Sequence, residues 1–342
     1  MTEAGKLKWF YAIGAVFIIL GTYGIYTEDF SIHLLPLVLI FVYLVLFKLD
    51  AVLLALNFLI PLSIQFDDIG LGLGISLPDE PLMMLIMLLS VFRFIIDGNY
   101  DYKVFRHPVT IWIFINLLWH YVTAITSEMP LVSFKYAVSR TWFLVCFYFL
   151  GIMLFRNYKN IGRFLWLYML SLTFVALYTI YSHGQVGFTQ ETSYHISMPF
   201  YIAHGVYSAA LAFFVPLLVT YLVYGLKLRL NWLFVLVVIG VLLIFLTGIF
   251  FSYTRAAWLS IVIAIVMIVP LLLKIKLRTQ FAILITGIVL FVVFQDQILY
   301  ALSKNKQDSA EGFSSHLQSA SNIKTDASNI ERINRWMSAV NM

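Results

Sequence analysis

Long apolar runs separated by short polar stretches make up most of the chain. They lie near residues 9–26, 32–47, 50–66, 79–96, 107–126, 136–155, 161–182, 204–225, 231–251, 255–273 and 278–295. Several approach or exceed the roughly 17–25 residues that a helix needs to span the hydrocarbon core. The short alternating segments of a membrane β-barrel are absent. The pattern therefore predicts an all-α polytopic membrane protein with about eleven transmembrane helices. The second and third runs are parted only by Lys48, Leu49 and Asp50 and are expected to tilt together as a tight hairpin.

Composition agrees with this class. Of 342 residues, 62% are hydrophobic and 11% charged, and the mean hydropathy is +0.92. Soluble domains carry about a quarter charged residues, and so few could not cover a water-soluble particle of this size. The net charge of +5 does not make the chain a nucleic-acid binder. Its basic residues sit in short loops between apolar runs and form no stripe. Cys146, the single cysteine, falls inside an apolar run, where it reads as a small buried hydrophobe. Lys6 and Lys8 precede the first run without a small-residue cleavage site after it, so that run reads as an uncleaved first helix.

Charge placement orients the bundle. With the N-terminus in the cytoplasm, 14 of the 22 lysines and arginines fall in cytoplasmic loops. Before residue 295 the outer side holds only Lys135, Arg140 and Arg255, while Glu28, Asp67, Glu80 and Glu128 are among its acidic residues. Three outer segments are long. Phe66–Pro78, with Gly70, Gly72 and Gly74, reads as a flexible loop, because no strand precedes it to make a dinucleotide fingerprint. His183–Ala203 is polar and free of lysine and arginine. Gln295–Met342 starts polar and ends in a helix: Ser328 and Glu331 fit a capping box, and Ile330, Ile333, Met337 and Val340 recur at helical spacing opposite Arg332 and Arg335.

Arg255 is the residue on which chemistry turns. It sits in a very short turn between two apolar runs, so its guanidinium lies near the outer membrane–water boundary. A charge at mid-bilayer costs roughly 2.5–3.5 kcal/mol, but snorkelling removes most of that at the interface. An anchoring role therefore stays open beside a functional one. Positive charge here runs against the trend of the outer side, and Lys135 and Arg140 lie at similar depth. Arginine grips phosphate oxygens in a bidentate way and lysine adds a point charge, so an anionic headgroup such as a lipid diphosphate suits this depth. His204 opens the eighth run and reads either as a base or donor or as a helix-end residue. His183, His195 and His204 lack the spacing of a helical zinc site, so no metal is expected. His120 and Asn116 share a face of the fifth run and are expected to form interhelical hydrogen bonds. Without a Walker loop, nucleophile elbow, Asp-rich motif or Rossmann fingerprint, no nucleotide or other cofactor is expected.

Three segments together resemble the O-antigen ligase and polymerase family. Thr247–Leu259, TGIFFSYTRAAWL, is similar to its Ser-x-Ser-Arg-Gly/Ala-x-Trp segment, with Thr254 in place of the second serine. Pro199–Pro216, PFYIAHGVYSAALAFFVP, resembles its Pro-Phe-Tyr…His…Tyr stretch. Thr325–Met342, TDASNIERINRWMSAVNM, resembles the start of the conserved part of its large periplasmic loop. The resemblance implies a GT-C-like bundle in the bacterial inner membrane, with residues 1–294 as the transmembrane part and 295–342 as the incomplete start of the periplasmic loop. It implies transfer of a glycan from undecaprenyl diphosphate to lipid A–core or another glycan at the periplasmic face, in lipopolysaccharide biosynthesis. Arg255 matches the motif arginine and is expected to bind the diphosphate, as is Arg332 in the loop; Arg140 and Lys135 join them by position. His204 and Ser252 are expected to line the site. The family's general-base histidine comes later in the loop, beyond Met342, and His316 does not match it. No catalytic residue is therefore assigned, and the chain, short relative to the family, is expected to bind donor poorly or to catalyse little. The alternatives are an O-antigen or exopolysaccharide polymerase, a polyprenyl-glycan transporter and a non-catalytic membrane protein.

Overall fold

Lipid offers no hydrogen-bond partners, so a chain this apolar must satisfy its backbone within helices. Each of the eleven apolar runs is helical over most of its described length in the computed structural model, which describes residues 3–28, 33, 35–66, 74–98, 102–227, 231–304 and 327–341. The helices are α1 (Glu3–Tyr26), α2 (Leu35–Phe47), α3 (Leu49–Leu59), α4 (Asp79–Asp97), α5 (Tyr102–Phe105), α6 (Pro108–Ile125), α7 (Pro130–Leu144), α8 (Leu150–Phe155), α9 (Lys159–Gln185), α10 (Gln190–Ser193), α11 (His204–Lys227), α12 (Trp232–Phe251), α13 (Arg255–Leu272), α14 (Leu277–Lys304) and α15 (Ala327–Asn341). A π turn at Val145–Phe149 joins α7 to α8. Among the described residues, six helical stretches are long and apolar enough to cross a membrane, or seven if the bent pair α2–α3 is one span. The protein is thus an all-α, multi-pass membrane protein.

Several local expectations meet a different geometry. The second and third runs turn sharply on one another rather than lying strictly antiparallel: Val38–Phe47 and Leu49–Leu62 are bent by 119° at their break. Lys48 leaves helical geometry there, with φ −135° and ψ 43°. Arg93 Nη1 donates to the Leu46 carbonyl at 3.0 Å, which satisfies one of the acceptors freed by the break. The glycine-rich stretch is flanked by an antiparallel pair, β1 (Ile64–Phe66) and β2 (Ile75–Leu77), in register Ile64–Leu77, Gln65–Ser76 and Phe66–Ile75. Residues 67–73 of that stretch lie outside the described residues. The last apolar run continues as helix to Lys304. Ser328 already lies within α15 rather than ahead of it, and its capping side chain is outside the described residues.

The chain forms two compact units, Met1–Tyr168 and Met169–Met342, divided within α9. In the first, Val52, Leu53 and Leu56 of α3 pack with Met83 and Ile86 of α4 and with Trp142, Leu150 and Leu154 of the α7–α8 stretch. Cys146 is buried in this cluster, as its apolar setting predicts, with Sγ 3.6 Å from the Met83 carbonyl. A polar tie holds the α3 end in place. Buried Asn160 donates through Nδ2 to Asp50 Oδ2 at 3.2 Å and to the Leu154 carbonyl at 3.1 Å, and accepts from Arg163 Nη1 at 3.3 Å. His120 packs edge-on to the Tyr136 ring, 5.7 Å between centroids, and Asn116 is exposed, so aromatic packing stands where a hydrogen bond is expected.

In the second unit, residues spaced three and four apart bury one face of each helix. Met169, Leu172, Val175 and Ala176 of α9 do so, as do Tyr207, Leu211 and Leu218 of α11 and Val238, Phe245 and Ile249 of α12. Gly248 lets the side chains of α11 pack directly against the α12 backbone. A methyl group on it would lie 2.7 Å from Tyr207 Oη and 2.8 Å from Leu211 Cδ1.

Candidate functional site

The turn between α12 and α13 is built by its own side chains. The Ile249 carbonyl, left open as α12 ends, accepts from Ser252 Oγ at 2.7 Å, Trp258 Nε1 at 3.0 Å and the Ser252 amide at 3.3 Å. Ser252 Oγ in turn accepts from the Thr254 amide at 3.3 Å. Tyr253, between them, has a left-handed φ of +50°. Such a backbone costs a non-glycine residue roughly 1–3 kcal/mol and persists where its surroundings overdetermine it. Here Tyr253 Oη donates to the Phe188 carbonyl at 2.8 Å. Arg255 follows as the first residue of α13, half-buried, at the end of the helix where the backbone dipole favours an anion.

The partner segment is shaped just as tightly. Gly187 and Phe188 both have positive φ, +88° and +56°. Phe188 stacks on Phe251 with 4.2 Å between centroids and lies 5.1 Å from the His183 ring. His183 closes α9 and is buried, with Nε2 3.0 Å from the Thr189 carbonyl and 3.1 Å from Thr192 Oγ1. A carbonyl can only accept, so Nε2 carries the hydrogen and is occupied in fastening the 189–192 segment. His204 opens α11 and meets the Tyr194 ring edge-on at 4.7 Å. His195 is exposed.

These elements form a small pocket lined by Thr179, His183, Ser193, His204, Tyr207 and Ser252, with Gly248, Ile180, Ile196 and Phe251 completing its wall. Its free space holds about one water molecule. His204 and Ser252, the two residues expected to line a site, are thus in one pocket. Thr179 and Tyr207 are the lining residues that reading the sequence for charge and histidine passes over. Tyr207 stands in the PFYIAHGVY stretch, and Thr179 has no sequence signal beyond its place on the buried face of α9.

The expected cations are distributed differently. Arg255 and Arg332 are in the second unit, Lys135 and Arg140 in the first. Lys135 Nζ lies 3.8 Å from Glu80 Oε2, with both side chains partly exposed. Arg140 is exposed on the same helix, and five residues at 3.6 per turn put it about 140° around from Lys135. Arg332 is exposed on α15, where Arg335 pairs with Glu331. Of the four side chains at the predicted apolar spacing of α15, Ile330, Met337 and Val340 are exposed and Ile333 is half-buried.

Residues 240–342 match the family model described as O-antigen ligase. The match bears out the resemblance over that range and takes in Thr247–Leu259, with Ser252 and Arg255, and Thr325–Met342, with Arg332. Pro199–Pro216 lies outside it. No curated protein and no solved structure matches the chain.

Proposed function

We propose that the protein is an O-antigen ligase-like membrane glycosyltransferase of the bacterial inner membrane, handling a glycan carried on undecaprenyl diphosphate at the periplasmic face. The observation that carries this reading is the family match through the α12–α13 turn, at which Arg255 stands. In the reaction a hydroxyl of lipid A–core or of a glycan acceptor attacks the anomeric carbon of the donor sugar. The bond from that carbon to the diphosphate breaks, its electron pair leaves with undecaprenyl diphosphate, and the acceptor proton passes to a base. Charge builds on the departing diphosphate, and a cation held in place beforehand stabilises it without reorganisation.

Arg255 suits that task for three reasons. Its guanidinium can grip two phosphate oxygens, the start of α13 adds the positive end of a helix dipole, and the turn that carries it is fixed by Tyr253, Ser252 and Trp258. Arg332 is proposed as a second contact from the loop; Arg140 and Lys135, in the first unit, are each proposed as a cation for an anionic headgroup. Lys135 then has to exchange Glu80 for that headgroup. His204 and Ser252 line the proposed site. A single observation favours a second reading: broken helices such as α2–α3 recur in transporters, which makes a polyprenyl-glycan transporter the alternative.

The test is binding of undecaprenyl diphosphate to the protein in lipid nanodiscs, followed by native mass spectrometry with undecaprenyl monophosphate as comparison. The diphosphate is expected to bind preferentially, and Arg255→Ala to weaken it at least tenfold. Equal binding by wild type and R255A removes the diphosphate role. Movement of the lipid-linked glycan across proteoliposomes without transfer would instead select the transporter.

A further inference from the structure

Thr179 and Tyr207 face the pocket with hydroxyls that are almost wholly buried, the residues being 4% and 1% exposed. The two groups are neighbours, yet among the described residues neither Thr179 Oγ1 nor Tyr207 Oη makes a well-formed hydrogen bond. Folded proteins pair nearly all such groups, through ordered water or a ligand where the chain supplies nothing. The two serine hydroxyls of the pocket lining are engaged: Ser193 Oγ donates to the Gln190 carbonyl at 2.6 Å and Ser252 Oγ to the Ile249 carbonyl at 2.7 Å.

The packing holds Tyr207 in this position. Its hydroxyl lies where the side chain of any residue but glycine at 248 would intrude, so the wall of α12 is cut back at the point that Oη occupies. The free space beside it suits one oxygen-sized group, and a buried water needs two to four polar partners. Tyr207 and Thr179 supply two, and Ser252 and His204 line the same space.

We infer that this pocket is a binding site for a single hydroxyl-bearing oxygen, held by the Tyr207 and Thr179 hydroxyls. Two sources share that chemistry, a water molecule and the hydroxyl of a sugar. In its water form the inference stands independently of the proposed function. In its sugar form it rests on that reading, and assigns the pocket to the glycan beside the α12–α13 turn.

The experiment is thermal unfolding of the full chain in nanodiscs, for wild type, Tyr207→Phe, Thr179→Val and Thr179→Ser, each with and without glucose or N-acetylglucosamine. If water occupies the site, Y207F and T179V melt lower than wild type without any saccharide, and T179S, which keeps the hydroxyl, melts with wild type. If a sugar hydroxyl occupies it, saccharide raises the melting temperature of wild type and T179S but not of Y207F or T179V. The inference is overturned if Y207F and T179V melt at or above wild type and saccharide moves none of the four, since the hydroxyls then have nothing to lose. Should Y207F fail to fold, the contrast of T179V with T179S decides. None of these readouts depends on undecaprenyl diphosphate binding or on Arg255, so failure here leaves that test untouched.

Discussion

Tyr253 and Phe188, 65 residues apart, both hold left-handed backbone and are joined by a 2.8 Å hydrogen bond from Tyr253 Oη to the Phe188 carbonyl. The bond ties the turn that carries Arg255 to the segment that follows α9. Tyr253→Phe keeps the ring and removes the bond, at an expected cost of about 1 kcal/mol. Because the turn also loses its anchor, undecaprenyl diphosphate binding is expected to fall as well. Unchanged melting and unchanged binding in Y253F would show that Ser252 and Trp258 shape the turn alone.

Gly248→Ala forces a methyl group to within 2.7 Å of Tyr207 Oη and 2.8 Å of Leu211 Cδ1. Overpacking of this kind costs roughly 1–3 kcal/mol. Tyr207→Phe removes one of the two clashes, so G248A is expected to cost less in the Y207F background than in wild type. A double-mutant cycle of melting temperatures measures that coupling, and strict additivity would mean that α11 and α12 separate to absorb the methyl.

Asn160 binds Asp50, the Leu154 carbonyl and Arg163 from a buried position. Asn160→Ala is expected to destabilise the protein by about 1–3 kcal/mol, the cost of stranding buried polar partners. Asn160→Asp should cost more, because it sets a second carboxylate against Asp50. Detergent-stability curves of the two variants give the order, and N160D melting above N160A would refute the assigned contact.

Lys135 separates two roles cleanly. As a partly exposed pair with Glu80 it contributes at most about 1 kcal/mol, so Lys135→Ala should melt close to wild type. If Lys135 also serves the diphosphate, Glu80→Gln frees it and tightens undecaprenyl diphosphate binding, whereas K135A weakens it. Identical binding in both variants confines Lys135 to its ion pair.

The resemblance was legible at Thr247–Leu259 because a short motif is local: it records which residues follow one another. What those residues do is not local. The tryptophan of the motif hydrogen-bonds the Ile249 carbonyl nine residues back, and Ser252 caps the same group. Both shape the turn from which Arg255 projects. His204 and Ser252, which line the small pocket, stood out through the motif segments that contain them. Thr179 was not, because a threonine on an apolar helix face looks the same whether or not its hydroxyl has a partner.

The amino-acid sequence by itself determined that this is a multi-pass helical membrane protein, where its apolar runs lie and which family residues 240–342 match. Each of these follows from composition, period and neighbouring residues, and in lipid the backbone has no alternative to the helix. Only the tertiary structure decided that α2 and α3 meet at a sharp bend, that short strands flank the glycine-rich stretch, and that His183 is committed to Thr189 and Thr192. It alone opposed Tyr207 to Gly248 and left two buried hydroxyls facing one small space. The physical reason is that apolar periodicity specifies which face of a helix is buried, not which polar atoms from distant segments meet there.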